Sequence, residues 1–149
     1  MIIDESLFGH VCNPACTDWS TVRQALNGTR AASKQNQYLH VGGTYWKQKL
    51  RLATTFQVFV LTLGRGGRVK QVADNLVDQL EVKWQNTPGL TCDTDHWALA
   101  LAEAAKTKLL ASDDKPLTSD FKTHLAGVVI SSLTATNDKA IQGLLALNV

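Results

Sequence analysis

The 149 residues are 44% hydrophobic and 19% charged, which gives one domain the apolar mass for a core and excludes a disordered, highly charged tail. No apolar run approaches the ~18 residues of a membrane span, and the acidic start Met1-Ile-Ile-Asp-Glu-Ser6 lacks the basic and apolar regions of a secretory signal. The formal charge of +2 conceals a split: residues 19–73 hold nine Lys or Arg and no acid, whereas the rest holds six Lys and all 13 Asp and Glu.

Residues 1–18 read as an irregular N-terminal arm, punctuated by Gly9, Asn13 and Pro14 and docked by Ile2, Ile3, Leu7, Phe8 and Val11. Thr17 or Asp18 caps a short helix from Trp19 that stops at Asn27-Gly28. The polar, basic stretch 29–37 is a loop. Segments 38–41 and 54–63, rich in β-branched and aromatic residues, read as strands, with a continuous helix over 44–63 as the rival. From Arg68 the spacing of Val69, Val72, Ala73, Leu76, Val77 and Leu80 predicts a helix ending near Asn86. A second helix runs from about Asp93 or Thr94 to Ala111, and 112–116 is a turn. A third, capped by Thr118 or Ser119, carries Phe121, Leu125, Val128 and Val129, and a short apolar helix covers 139–147. The expected fold is α+β, a single domain over 1–149: arm 1–18, basic and β-stranded segment 19–68, and helical segment 69–149 of three to four helices. An all-α fold is the alternative.

A polyanion is recognised first by charge, because each neutralised phosphate releases counterions. Lys47, Lys49 and Arg51 recur at every second residue, so a strand would present all three on one face beside Tyr45. Such a face suits single-stranded RNA, with Trp46 available to stack a base. Arg65, Arg68 and Lys70 lie in a glycine-rich turn whose backbone N–H groups can approach an anion. The competing reading of these cations is salt bridging to the chain's own acids.

Cys12, Cys16, Cys92 and His96 can be read as a Cys3His zinc set tying the arm to a helix start, although the spacing is unlike the common knuckle. A Cys–Cys bridge and inert thiols are the other readings. His40, His96 and His124 are scattered with no nucleophile elbow, so no catalytic residue is assigned. Asp93, Asp95, Asp113 and Asp114 can be read as acid–base or metal carboxylates, but they sit where helix caps and turns place Asp.

The stretch Thr123-His-Leu-Ala-Gly-Val-Val-Ile-Ser-Ser132, a Thr/Asn break and Ala140-Ile-Gln-Gly-Leu-Leu145 resemble in texture the ends of single-stranded RNA phage coat proteins. The beginning, with Met1-Ile-Ile-Asp4, Phe8-Gly9 and Asp18-Trp-Ser-Thr-Val-Arg-Gln-Ala-Leu26, is similar to the start of hepadnaviral core proteins. Both resemblances imply a capsid subunit; in the phage family a sheet faces the genome and C-terminal helices interlock two subunits. The expectation is a non-enzymatic, self-assembling coat protein of the virion, without cofactor, that packages RNA through Lys47, Lys49, Arg51, Arg65, Arg68, Lys70, Tyr45 and Trp46. Its partners are then copies of itself and nucleic acid, with no membrane. The alternatives are a cytoplasmic module binding nucleic acid or an acidic protein, and a zinc-stapled regulator.

Overall fold

The computed structural model describes residues 1–147. Strands and helices alternate along the chain as β1 (Ile2–Ile3), α1 (Phe8–Val11), α2 (Ser20–Asn27), β2 (Leu39–Val41), α3 (Thr44–Leu52), α4 (Thr54–Arg65) and β3 (Val69–Gln71). They continue as α5 (Asp74–Gln85), α6 (His96–Ala105), β4 (Leu109–Ala111), α7 (Lys115–Leu125), β5 (Val128–Ile130), α8 (Ser132–Ala135) and α9 (Asp138–Leu147). The mixture of helix and strand matches the expected class, but helix predominates and the stranded segments lie in both halves of the chain.

All strand pairing among the described residues is parallel. β4 lies between β1 and β5, with Ile2 opposite Leu110 and Leu109 opposite Val128, and β2 pairs with β3, Leu39 opposite Val69. Met1 joins the two sheets: its nitrogen donates to the Tyr38 carbonyl at 2.9 Å and its carbonyl accepts from the His40 N–H at 3.0 Å. The resulting order is β3-β2-β1-β4-β5, wound outward in both directions from the first strand.

Neighbouring residues of the central strands are buried alike: Ile2, Ile3, Leu109, Leu110 and Ala111 are all inaccessible. A strand covered on both faces shows a continuous apolar run and no alternation. One layer is built around α6, whose residues 96–102 are all buried, as a helix apolar all round must be. It packs along α5 and crosses β1 and β2, while α2 packs against α9 and α9 against β5.

Several expectations are corrected. Residues 1–18 contain the central strand instead of an arm. Segment 54–63 is helix α4, with Phe56, Val60 and Leu63 inward at helical spacing, and the rival long helix is broken at Ala53 (φ −116°, ψ 73°). The run after Arg68 begins as β3, and its helix starts only at Asp74. The ends of the second and third expected helices are β4 and β5. The third helix itself starts earlier, at Lys115, capped by Asp114, whose Oδ1 accepts from Leu117 N at 2.7 Å.

The exit of β2 is held against the start of α5. A Cβ on Gly43, whose φ is 92°, would stand 2.7 Å from Val77 Cγ1, so only glycine fits. Gly43 N and Thr44 N donate to the carboxylates of Asp74 and Asp78 at 3.0 and 2.8 Å, which fixes the entry to α3.

Candidate active site at the carboxyl ends of the strands

Where strand order reverses in an open parallel sheet, the loops leaving neighbouring strands diverge and open a crevice. Here that point lies between β1 and β4, and the crevice is a cleft of about 470 Å³ lined by Asp4, Glu5, Ser6, Asp95, Asp114 and Lys49, with Phe8, Gly9, Leu52 and Ala53. The acids arrive from three places: directly after β1, before α6 and after β4.

Asp4 is 2% exposed. Its N–H donates to the Ala111 carbonyl at 2.9 Å, which locks the residue to the end of β4. Oδ2 accepts from Ser6 Oγ at 2.5 Å and from Ser112 Oγ at 2.9 Å, but Oδ1 is buried with no hydrogen-bond partner. Burial pushes the carboxyl above the usual range, opposed by the hydrogen bonds from Ser6 and Ser112. Ser112 Oγ also accepts from Asp114 N at 3.0 Å, so one hydroxyl ties two of the acids together.

Asp95 occupies the cap position of α6 without capping it through its side chain. Its carboxyl is pushed up first by burial, then by the charges of Asp4, Asp114 and Glu5. Trp97, whose buried indole N–H has no partner in hydrogen-bond geometry, acts in the opposite direction. Lys49 is the cation of the cleft, paired with Glu5 at 3.0 Å and lying over the Tyr45 ring. Among the described residues no group of three or more His, Cys, Asp or Glu side chains is placed to hold a metal ion. The acids stand around an open cleft.

A buried carboxylate with an unsatisfied oxygen and like charges across from it is costly to maintain. Titratable groups perturbed by burial and by specific neighbours in a cleft mark functional sites. Sequence reasoning weighed Asp95 and Asp114 as acid–base or metal carboxylates, favoured caps, and did not single out Asp4 or Glu5. Asp114 does cap α7; Asp95 does not cap α6. The available signal was an acid within three residues after each short apolar triplet, Met1-Ile-Ile-Asp4 and Leu109-Leu-Ala-Ser-Asp-Asp114.

The expected basic face is dispersed. Lys47 pairs with Asp74 and Lys49 with Glu5, so two of its cations meet the chain's own acids. The helical form of α3 spreads Lys47, Lys49 and Arg51 around its circumference. Arg68 donates to the Leu26 and Gln37 carbonyls at 3.1 and 2.6 Å and shares the Tyr38 ring with Lys70, each 4.2 Å from its centroid. Trp46 is 3% exposed and offers no stacking surface. It meets Lys47 and Arg65 in a separate apolar groove with Val60 and Leu61. Tyr45 is stacked on Trp97. Arg51 and Arg65 are exposed.

The proposed zinc set is not assembled, because the three cysteines are free thiols in different surroundings. Cys12 and Cys16 follow α1, whereas Cys92 lies against Asp120, where burial and that carboxylate push its thiol up to about 12. His96 lines another cleft beside Glu81 and Asp93. No helix among the described residues is long and apolar enough to cross a membrane. No known family model, curated protein or solved structure matches the chain.

Proposed function

We propose that the chain is a divalent-cation-dependent phosphodiesterase acting on nucleic acid, with Asp4, Asp95 and Asp114 as its acidic centre. One observation carries this reading: Asp4 keeps an unpartnered carboxylate oxygen in a buried position facing other acids at the reversal point of a parallel sheet. Mg²⁺ takes oxygen ligands, retains several waters and is held by one or two carboxylates together with substrate phosphates. An open arrangement of acids fits that demand better than a closed cage would. When bound, such an ion neutralises phosphoryl charge and lowers the pKa of water.

The chain's own groups supply the rest. Asp4 and Asp114 would hold the cation, and Ser6 and Ser112 fix the rotamer of Asp4. Asp95, its carboxyl pushed up by burial and then by the neighbouring acids, accepts the proton of the attacking water. The new P–O bond forms as the ester P–O bond breaks, and the leaving oxygen takes up a proton. Lys49 is held in the cleft by Glu5, and buried Phe8 forms part of its apolar wall.

The coat-subunit expectation depended on a continuous basic face. The pairing of Lys47 and Lys49 within the chain and the use of Arg68 on backbone carbonyls leave the cleft as the better-supported site. The test is incubation of the purified protein with labelled single-stranded RNA and DNA in Mg²⁺ or Mn²⁺. Cleavage is expected, abolished by EDTA and reduced at least ~100-fold in Asp95→Asn. Wild-type rates in EDTA, or in Asp4→Asn, refute the reading.

A further inference from the structure

We propose that the groove between α7 and the turn from β5 into α8 is the track along which a single nucleic-acid strand reaches the cleft. This rests on the phosphodiesterase reading and names the form of its substrate. The groove, about 460 Å³, is lined by Lys115, Thr118 and Lys122 on one side and Ser131, Leu133 and Thr134 on the other, over Ser112, Asp113 and Val129. It opens on the same rim of the sheet as the acidic cleft. Ser112, whose hydroxyl touches Asp4, lines it, and Asp114 of the cleft is the next residue after Asp113.

Lys115, Thr118 and Lys122 recur at i, i+3 and i+7 and so share one face of α7. The two lysines are separated by about 10 Å along the helix axis, the reach of a few nucleotides. Both are exposed, and neither forms an ion pair among the described residues. Asp113, the one acid of this lining, is held by Ser132, whose N–H and Oγ donate to its two oxygens at 2.7 and 2.5 Å. The lysines therefore face the groove without a counter-ion, complementary to phosphate.

Leu133 adds a second kind of contact. It is 84% exposed at the groove's edge, an apolar side chain against which an unpaired base can pack. A duplex, with its bases stacked inside, has no use for it. Phosphate on one wall and a base on the other is the arrangement expected of a single strand.

The test measures binding apart from cleavage. Fluorescence anisotropy of a labelled oligo-dT or oligo-U of about 12 nucleotides, in EDTA, compares the wild type with Lys115→Ala/Lys122→Ala and with Leu133→Ser. The double variant is expected to bind about tenfold more weakly and to lose about 2 from the slope of log affinity against log salt. Leu133→Ser is expected to weaken oligonucleotide binding while leaving inorganic polyphosphate binding unchanged. In Mn²⁺ the double variant should show a raised KM for the oligonucleotide and an unchanged kcat on a small aryl phosphodiester. Wild-type affinity and salt slope in the double variant, or no binding by either protein, overturns the track. Cleavage of the small ester with no role for the lysines leaves the phosphodiesterase reading intact. Lysine-dependent binding without any cleavage removes that reading and keeps the groove.

Discussion

Asp4→Asn separates stability from function. The asparagine Oδ1 can take the place of Oδ2 and accept from Ser6 and Ser112, whose hydroxyls now donate at 2.5 and 2.9 Å, while the negative charge disappears. What is removed is a buried carboxylate whose other oxygen has no partner and whose charge faces Asp95. Leaving a buried polar group unsatisfied costs about 1–3 kcal/mol, and the amide recovers only part of this because its own NH2 also requires an acceptor. The expected gain is about 1 kcal/mol, a rise in Tm of roughly 2–4 °C for a domain near this size. Differential scanning fluorimetry in EDTA at neutral pH measures it. The same assay with Mn²⁺ is expected to raise the wild-type Tm and leave Asp4→Asn unmoved, since a ligand stabilises only the state that binds it. The pH dependence has a defined sign. A carboxyl raised in the fold carries a penalty above its folded pKa, relieved as pH falls through that pKa toward the unfolded value near ~3.9. The stability advantage of Asp4→Asn must therefore shrink on acidification. A variant that melts several degrees below wild type in EDTA, or one that keeps the full Mn²⁺ response, refutes the assignment.

Other substitutions test the remaining features. Gly43→Ala forces a side chain into the left-handed region against Val77 and is expected to cost about 1–3 kcal/mol in urea unfolding. Arg68→Ala strands the Leu26 and Gln37 carbonyls and is expected to cost about 2 kcal/mol with no loss of oligonucleotide affinity, the reverse of its predicted role as a phosphate contact. His40 is pushed down to about 4, first by burial and then by the Met1 amine and Lys70. A depressed histidine stays neutral in the fold while the unfolded form takes a proton, so stability declines as pH falls from ~6.5 toward that value. His40→Gln should flatten this part of a Tm–pH curve. Negative-stain imaging is expected to show small discrete particles, and closed shells would restore the coat-subunit reading.

The boundaries that could be read from sequence were those marked by local chemistry. Gly28 in the left-handed conformation ends α2, Asn86 follows α5, and the final apolar helix lies close to its expected place. What escaped was the sheet. Each strand is two or three residues long, too short to display alternation, and β1 and β4 are buried on both faces. Leu109–Ala111 and Val128–Ile130 extend the helical periodicity of the elements before them. The pattern of Val58, Val60 and Leu61 resembled a strand only because two of those residues are exposed on α4. The site escaped for a related reason: Asp4 and Asp114 become neighbours through parallel pairing of distant strands, a relation absent from any local window. The charge split was visible, but which cations were already paired with acids was not.

Ser112 reaches Asp4 across 108 residues of sequence. A ribosome delivers the first half of this centre long before the second, and β1 waits with both edges bare until β2 and then β4 arrive. An incomplete chain ending before Leu109 would hold Asp4 but not the strand that positions it. The acidic cluster is therefore completed only once the chain has been made through β4 and Ser112.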